Sequence, residues 1–270
     1  MADPKPMMRV RYGDIALNYD ANLDGGGMTF GQLYVDYIRR RVGKVGHVFE
    51  YCSGPGFIGF SMLAHGLCDR LTLADINPAA VAACERTISE NGLGDRARVF
   101  HSDGLDGIPE SERWDLVVSN PPHWRGTRKQ WERELRLIDP DFIVHEKLYR
   151  NVSKFLAPGG RVIIQENGLG TRPSDFHTMI AEGGLQVVEV FPDDGLRSAT
   201  LHHLRSRAVL YVERLLNTAA AEAIFKKGRW FRPGRETPRQ NLKPYYFLWS
   251  ERPAAPGAQE LHGPAAAAGM

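Results

Sequence analysis

A short apolar run leads directly into a glycine-rich turn in VFEYCSGPGFIG, residues 48–59. Gly54, Gly56 and Gly59 space this turn as GxGxxG, and a helical pattern follows over residues 57–67. Such a turn lets the backbone approach a ligand closely, and the N-terminus of the helix favours anionic groups. The stretch therefore predicts the first strand, turn and helix of a nucleotide-binding α/β fold.

Strand and helix patterns alternate along the rest of the sequence. Six further β-branched or apolar runs follow, at residues 70–76, 97–103, 114–120, 161–167, 185–191 and 208–215. Helical patterns separate most of them, at residues 78–92, 141–156 and 173–182. This alternation predicts a Rossmann-like, doubly wound sheet of seven strands, mostly parallel. The loop 192–207 is too short and polar for a crossover helix, so we expect an antiparallel last strand.

Two local signals predict helix ends. Asn77 stands directly before Pro78, as an N-cap stands before proline at the first helical position. LAPGGR (156–161) predicts a helix that ends at glycine. Both signals agree with the alternation of helices and strands.

The composition is that of a folded globular chain. It has 270 residues, 43% of them hydrophobic and 24% charged, with a net charge of +2, which excludes a disulfide scaffold, a collagen-like repeat and a fully disordered chain. No run of about 18 apolar residues predicts a membrane span, and the N-terminus lacks the apolar core of a secretory signal. Cys52, Cys68 and Cys84 form no CxxC pair, so we expect free thiols in the cytoplasm.

Three carboxylates follow strand patterns at one predicted edge of the sheet: Glu50, Asp75 and Asp103. A dinucleotide and S-adenosylmethionine both fit a glycine turn with Asp75 on the ribose hydroxyls. Glu50 favours S-adenosylmethionine, because a carboxylate there can reach its cationic amino-acid end, and Asp103 can accept from the adenine amine. The alternatives are a strand-end carboxylate for Glu50, a helix cap for Asp75 and an Asp-Gly turn for Asp103.

The loop after the fourth strand reads SNPPHW, residues 119–124. Asn120 and the Pro121 carbonyl can each accept one N–H of a planar amide, amino or guanidino nitrogen, which aims the nitrogen lone pair at a sulfonium methyl. His123 or Trp124 can stack on the planar group. The alternative is a rigid Asn-Pro turn that only ends the strand.

At these residues the chain resembles class I S-adenosylmethionine-dependent methyltransferases. It resembles more narrowly the Asn-Pro-Pro-aromatic group, which includes release-factor glutamine methyltransferases and amino-methyltransferases of RNA and DNA bases. The similarity covers about residues 28–215, and GGRVIIQENG (159–168) resembles the end of the glutamine methyltransferase domain. The resemblance implies S-adenosylmethionine as the cofactor. The residues expected to bind it are Thr29, Phe30, Glu50, Cys52, Gly54, Gly56, Asp75, Ile76, Asp103, Gly104 and Asn120. The expected catalytic residues are Asn120, Pro121, Pro122 and His123.

The sequence departs from that group at three places. Cys52 replaces the usual first glycine of the turn, and His123 stands where Tyr or Phe is more frequent. We expect no counterpart of the helical recognition domain of the release-factor enzymes before Met28. These departures leave the macromolecular substrate open.

Substrate contacts are expected from an insertion after the motif, residues 123–140. Its Trp124, together with nearby Arg and Trp side chains, can wall a substrate pocket, and a solvated surface helix is the equal alternative. Glu166, at the end of the fifth strand, can hold a substrate amine or guanidinium, or can stand behind residues that do. His202 and His203 have no third ligand at metal spacing, so no metal is expected.

We divide the chain into four segments. Residues 1–46 cover the substrate and cofactor, and residues 47–215 form the methyltransferase domain. Residues 216–250 form a basic-aromatic extension, and residues 251–270, rich in Ala, Pro and Gly, form a disordered tail. The extension carries seven Lys and Arg against one Glu over residues 226–243. It can bind single-stranded RNA, but we favour packing over the domain or against a second copy in a homodimer.

The favoured function is N-methylation of a planar nitrogen in a small molecule, such as an amino acid or a natural-product intermediate. The alternative is N-methylation of a macromolecule, either a protein glutamine or an RNA base. A third class, a nicotinamide-dependent oxidoreductase or a cofactor-binding protein without activity, is disfavoured by Asn120 and the two prolines that follow it. No membrane partner is expected.

Overall fold

The computed structural model describes residues 7–24, 27–168, 170–191 and 245–253. The predicted strand 208–215, the pair His202–His203 and the basic run 226–243 lie outside the described residues. The side chains of Thr29 and Phe30 also lie outside, although their backbone belongs to a helix.

The structure contains helices and strands in alternation. The strands are β1 (Met7–Tyr12), β2 (Ile15–Asp20), β3 (Val45–Tyr51), β4 (Cys68–Asp75), β5 (Ala97–His101), β6 (Trp114–Ser119), β7 (Leu156–Asn167), β8 (Gln186–Phe191) and β9 (Tyr245–Glu251). The α-helices are α1 (Gly27–Arg41), α2 (Phe57–Ala64), α3 (Pro78–Glu90), α4 (Arg128–Arg133), α5 (Ile143–Val152) and α6 (His177–Glu182). Short 3-10 helices lie at Ala21–Leu23, Pro140–Phe142, Ser153–Phe155 and Pro173–Asp175.

Seven of these strands form one sheet in the order β5-β4-β3-β6-β7-β9-β8. The pairs from β5 to β7 are parallel, and β9 is antiparallel to both of its neighbours. This confirms the predicted Rossmann-like sheet, mostly parallel with an antiparallel last strand. Parallel pairing brings the loops that follow β3, β4, β5 and β6 to the same edge of the sheet.

The partner of the antiparallel pair differs from the prediction. The sequence analysis paired 185–191 with 208–215, whereas β8 pairs with Tyr245–Glu251, which had been assigned to the extension. Phe247 and Leu248 are both buried, one in each of the two apolar clusters that cover the faces of the sheet. An apolar run that is buried on both faces is typical of a central strand. The structure therefore moves residues 245–250 into the sheet.

The expected tail also begins later than predicted. Glu251 is the last residue of β9, and the guanidinium of Arg252 donates to the carbonyl oxygens of Ser153 and Leu156. The first residues of the stretch 251–270 are thus bonded to the body of the protein. Residues 254–270 lie outside the described part of the chain.

The LAPGGR stretch belongs to a strand and does not end a helix. Helix α5 ends at Val152, and β7 already begins at Leu156. Trp114 pairs with Leu156, but Leu116 pairs with Arg161, so β7 carries extra residues at this point. Gly159 lies in this irregular stretch with a φ of +73°, a conformation that also occurs at the glycine that ends a helix.

The N-terminal segment contributes a hairpin and a helix that the sequence patterns did not predict. Strands β1 and β2 pair antiparallel, and β1 begins at Met7. The side chain of Asn91, at the end of α3, accepts from the Ala16 amide and donates to the Ala16 carbonyl, both at 2.9 Å. These bonds dock the edge of β2 on α3.

A tyrosine of α1 joins the strands that carry the predicted catalytic loop. The pairing of β6 with β7 ends at Ser119 and Ile164. Beyond that point the buried hydroxyl of Tyr34 donates to the Ser119 carbonyl and accepts from the Gln165 amide at 2.7 Å. The Ser119 hydroxyl also donates to the Tyr51 carbonyl of β3 at 2.6 Å. These bonds fix the backbone directly before Asn120.

We expect Tyr34→Phe to lower the free energy of unfolding by about 1–3 kcal/mol, because it leaves a buried amide and a buried carbonyl without their partner. Urea denaturation measures this loss. Tyr149→Phe is the matched control, since the buried Tyr149 hydroxyl has no hydrogen-bond partner among the described residues. The control should match or exceed the parent in stability. Equal stability of Tyr34→Phe and the parent would show that the hydroxyl does not join the strands.

Candidate functional site

A cavity of about 230 Å³ lies at the carboxyl edge of the sheet. The loops after β3, β4, β5 and β6 all contribute to its wall. Of the predicted site residues, the wall contains Glu50, Cys52, Gly54, Asp75, Ile76, Asp103, Gly104, Asn120, Pro121, Pro122, His123 and Trp124. Gly56 and Glu166 do not line it. Most of the predicted site residues therefore lie on one concave surface.

Gly56 does not line the cavity, but the conformation of the glycine turn depends on it. It is the N-cap of α2 with a φ of +80°, and its amide donates to the Ser53 carbonyl at 2.8 Å. A Cβ at this position would lie 2.6 Å from the Phe60 ring and 2.9 Å from Leu73. Both the backbone conformation and the space therefore require glycine.

Glu50 is a buried carboxyl at the N-terminus of α2. Its two oxygens accept from the amides of Gly59 at 2.7 Å and Ile58 at 3.3 Å. Gly59 permits this approach, because a Cβ there would lie 2.7 Å from the Glu50 carboxylate. Burial raises the pKa of Glu50 to about 8 in spite of these bonds, and the nearby Asp75 adds to the rise. Among the described residues, no Lys, Arg or His lies within ion-pair distance of Glu50.

Asp75 ties the turn after β3 to the turn after β4. One carboxylate oxygen accepts from the Gly54 amide at 2.7 Å, and the other accepts from the Asn77 amide at 2.8 Å. Asn77 is the N-cap of α3, as predicted, and accepts from the Ala79 amide. Burial raises the pKa of Asp75. Each Asp75 oxygen keeps a lone pair that a ligand hydroxyl can use.

Cys52 occupies a glycine-like backbone conformation. Its φ is +50°, in the left-handed region that residues with a Cβ rarely adopt. This explains why glycine is usual at this position of the turn. Burial raises the pKa of the Cys52 thiol well above its usual value, so the side chain at the cavity wall is a neutral thiol.

Asp103 lines the cavity but is already paired. Its carboxylate lies 2.5 Å from the ammonium of Lys147, on α5, and both side chains are partly exposed. A ligand amine that binds here shares this carboxylate with Lys147.

Asn120 and His123 form a direct side-chain contact. Nε2 of His123 lies 3.0 Å from the Asn120 carboxamide oxygen, and Nδ1 of His123 lies 3.2 Å from Oε2 of Glu166. Glu166 is fully buried behind the histidine. The structure therefore places Glu166 where it supports the cavity wall from behind, which is the alternative left open for it above.

Two further buried residues continue from Glu166 into the core. Oε1 of Glu166 lies 2.8 Å from Nε2 of His145, and Nδ1 of His145 lies 2.6 Å from the Asp139 carboxylate. Burial alone would lower the pKa of His145, but Glu166 and Asp139 raise it to about 9. Burial alone would raise the pKa of Glu166, but His145 and His123 lower it to about 2. We call Asp139, His145, Glu166 and His123 the relay.

Sequence reasoning missed Asp139 and His145. They stand six positions apart and belong to no motif. Two successive residues between them, Asp141 and Phe142, adopt positive φ values of 51° and 61°. This uncommon turn brings the carboxylate back to the imidazole, and no sequence pattern predicts it.

Residues 124–139, which we call the roof, cover the cavity. The Trp124 amide donates to the Leu137 carbonyl at 2.9 Å, and the Asp139 amide donates to the Trp124 carbonyl at 2.8 Å. Arg136 donates to the Asp24 carbonyl at 2.9 Å, which fastens the roof to the N-terminal segment. Trp131 lines the cavity from the roof.

The outer side of the roof carries exposed cations. Helix α4 has no buried residue, and its Arg128 packs over the Trp131 ring at 4.4 Å. Lys129 and Arg133 are exposed and, within the described part of the chain, form no ion pair. Arg125 is 61% exposed and lies 3.6 Å from Asp175. Arg125 and Arg128 are thus paired, with Asp175 and Glu132, whereas Lys129 and Arg133 are unpaired cations within the described residues.

Glu50→Gln is expected to change how stability depends on pH. The pKa of Glu50 is about 8 in the folded chain and near its ordinary value of 4.5 in the unfolded chain. Between these values the native state holds more protons, so the parent loses stability as the pH rises, by at most about 1.4 kcal/mol per pH unit. The glutamine variant lacks this loss. Its free energy of unfolding should therefore improve relative to the parent from about pH 5 to about pH 8.

Urea denaturation at several pH values measures the difference. Glu85→Gln, which changes an exposed carboxylate of α3, is the matched control and should keep the parental pH dependence. Parallel pH curves for Glu50→Gln and the parent would contradict a carboxyl that is protonated on folding.

The described residues contain no helix that is both long and apolar enough to cross a membrane.

Comparisons with known proteins agree with the fold. The chain is 30% identical over 122 residues to the ribosomal RNA small subunit methyltransferase C of Pseudomonas aeruginosa strain LESB58, covering 45% of this chain and 32% of that protein. It is 24% identical over 169 residues to a bifunctional methyltransferase of Rickettsia bellii strain RML369-C, covering 59% of this chain and 28% of that protein. The matches thus span only about a third or less of these relatives.

Among solved structures, an O-methyltransferase of a Brevibacillus brevis multienzyme, in complex with S-adenosylhomocysteine, has a TM-score of 0.50 and 16% identity. The match covers 82% of this chain and 71% of that chain, and at this identity it shows a common fold. The family model of the methyltransferase small domain matches residues 26–174. Because this match covers more than half of the sequence, the chain belongs to the methyltransferase small domain family.

Proposed function

We propose that the protein is an S-adenosylmethionine-dependent N-methyltransferase of the Asn-Pro-Pro-aromatic group that methylates an exocyclic amino nitrogen of an RNA base. The observation that carries the proposal is that Asn120 and Pro121 line the same cavity as Glu50 and Asp75. The names of the ribosomal RNA methyltransferases among the relatives favour the macromolecular acceptor over the small molecule that the sequence analysis placed first.

The residues at the glycine turn fit this cofactor. Glu50 is a buried carboxyl without a cationic partner in the described structure, and the ammonium of the methionine moiety supplies one. Asp75 keeps a lone pair on each oxygen for the two ribose hydroxyls. Asp103 borders the same cavity for the adenine amine. S-adenosylmethionine, when bound, provides the electrophilic methyl group on a sulfonium.

The acceptor half of the cavity orients a weak nucleophile. An exocyclic amine of a base is planar, and its lone pair is delocalised into the ring. The Asn120 carboxamide oxygen, when it is turned from His123 toward the cavity, and the Pro121 carbonyl provide acceptors for its two N–H groups. Holding both N–H groups sets the nitrogen in line with the methyl group, and these oriented dipoles stabilise the positive charge that develops on it. Trp124 lies at the same wall, where an indole can stack on a flat base.

The charge around the mouth supports a nucleic-acid acceptor. A base that enters the cavity brings its phosphates to the rim, where Arg125, Arg128, Lys129 and Arg133 are exposed. Cations on the outer side of the roof contact phosphates without reading a sequence.

Transfer of label from methyl-labelled S-adenosylmethionine tests the function. Small-subunit ribosomal RNA, total protein and a metabolite fraction are supplied in parallel, and we expect label in RNA. Nuclease digestion should then release a nucleoside that carries the label on an amino nitrogen. Label that enters only metabolites would restore the small-molecule function, and label in protein would favour glutamine.

Asn120→Ala should lower the single-turnover rate by about 10²–10³, the usual cost of removing one preorganised polar group. The affinity for S-adenosylhomocysteine, measured by calorimetry, should stay close to the parental value. Asn120→Asp keeps an acceptor but adds a charge and removes a donor, so its rate should fall between those of the parent and Asn120→Ala. Methyl transfer at the parental rate by Asn120→Ala would reduce the loop to a rigid turn.

The double variant Lys129→Gln/Arg133→Gln should bind RNA more weakly. If both cations contact phosphates, the slope of log affinity against log salt concentration should become shallower by about 1.5. The control is Lys44→Gln/Lys154→Gln, which removes two exposed cations at the opposite edge of the sheet and should keep the parental slope. Equal salt-dependence slopes for both double variants would show that the roof is not part of the RNA-binding surface.

A further inference from the structure

The relay connects the protein core to one side chain of the cavity. Asp139, His145 and Glu166 are fully or almost fully buried, and His123 is 9% exposed. The last contact of the relay, from Nε2 of His123, is made with the Asn120 carboxamide. The relay therefore acts on the group that is proposed to hold the acceptor nitrogen.

The protons in the inner part of the relay follow from its donor and acceptor types. Carboxylates only accept, so a ring between two carboxylates must donate from both of its nitrogens. His145 lies between Asp139 and Glu166 and is therefore an imidazolium. Its charge keeps Glu166 ionised, which agrees with the pKa of about 2 for that carboxyl.

An ionised Glu166 decides the tautomer of His123. Oε2 of Glu166 faces Nδ1 of His123 at 3.2 Å and also accepts from the Thr171 hydroxyl at 3.2 Å. Because this oxygen cannot donate, Nδ1 of His123 must carry a proton. In a neutral His123 ring, Nε2 is then an acceptor, and in a protonated ring Nε2 is a donor.

The charge of His123 selects the direction of the Asn120 carboxamide. A protonated ring donates to the carboxamide oxygen, which is the arrangement with Nε2 facing that oxygen at 3.0 Å. A neutral ring requires the carboxamide to turn by 180°, so that its NH₂ donates to Nε2 and its oxygen is free on the other side. Oxygen and nitrogen of an amide occupy nearly the same space, so the turn costs little in packing.

We propose that His123 is a positioning residue, held by the buried relay, whose neutral form turns the Asn120 oxygen toward the acceptor nitrogen and whose protonated form turns it away. This inference rests on the proposed function. It adds a device by which a proton on one ring controls the geometry of methyl transfer. His123 accordingly has a role beyond that of the aromatic side chain that is usual at its position.

Other groups near His123 keep their charge around neutral pH. His145 remains charged below its pKa of about 9, and Glu166 remains charged above its pKa of about 2. Burial raises the pKa of Tyr246 well above its ordinary value, so its hydroxyl stays neutral. Of the two histidines of the relay, His123 is the one that lines the cavity. The titratable groups of the described residues that face the ring, directly or through one intervening side chain, are Glu166 on β7, His145 on α5, Asp139 at the end of the roof and Tyr246 on β9.

The activity test compares pH profiles of the single-turnover rate at saturating cofactor. The parent should lose activity as the pH falls, because protonation of His123 turns the Asn120 carboxamide oxygen away from the acceptor nitrogen. His123→Phe should remove this acid limb and lower the plateau about tenfold, while S-adenosylhomocysteine affinity stays unchanged. Thr171→Val, which removes another bond to Glu166 but leaves His123 on Asn120, is the matched control and should keep the acid limb. An acid limb that persists in His123→Phe, or a parent without one, would overturn the proposal.

A second measurement is independent of activity. In ¹⁵N-labelled full-length protein, the ring signals of His123 are assigned by their loss in His123→Phe. At high pH the neutral ring should carry its proton on Nδ1, and Glu166→Gln should shift the proton toward Nε2. A neutral parental ring with its proton on Nε2 would refute the mechanism. If the parent methylates nothing but its ring carries the expected tautomer, the proposed function fails while the positioning geometry stands.

Discussion

Where β6 and β7 separate beyond Ser119, the hydroxyl of Tyr34 replaces direct pairing of their backbones. The cavity depends on this separation. Two parallel strands that stayed paired to their ends would leave no room for the loop that carries Asn120. A hydroxyl is suited to the position because it donates to one strand and accepts from the other. The same phenolic ring lies edge-on to Phe247 of β9, at 5.0 Å between centroids, so β9 also holds Tyr34 in place.

Two buried glutamates at this edge have opposite electrostatic states. Glu50 is held by backbone amides alone, and burial raises its pKa to about 8. Glu166 lies between two histidines, which lower its pKa to about 2 against the same effect of burial. A buried carboxyl without a cation is stable chiefly as the neutral acid, or with a cationic ligand. The Glu50 carboxyl can therefore still pair with a cationic group of a ligand, whereas the Glu166 carboxylate is already paired with His123 and His145.

The sequence predicted those parts of the fold that follow from local pattern. Strand β3, the glycine turn and Asp75 were predicted from an apolar run and a glycine spacing, and each of these patterns spans only a few residues. The Asn77 cap and the loop at Asn120 were found for the same reason. Partner choice in the sheet could not be found in this way, because β9 joins the sheet from residues 245–251, far along the chain from β7 and β8. Its aromatic residues resembled a binding segment until their burial on two faces was known.

Side-chain networks were harder to predict than strands. Glu166 was recognised as a candidate, but its neighbours were not, because Asp139 reaches His145 only through two residues with positive φ. That turn also explains how the cavity and its cover are joined. The roof leaves the loop at Asn120 at Trp124 and returns at Asp139, where the Asp139 amide donates to the Trp124 carbonyl. The side chain of Asp139 then begins the relay that ends at Asn120. The roof thus carries the cations that are proposed to contact RNA. Its last residue, Asp139, also begins the contacts that position the Asn120 amide, which is proposed to hold the base.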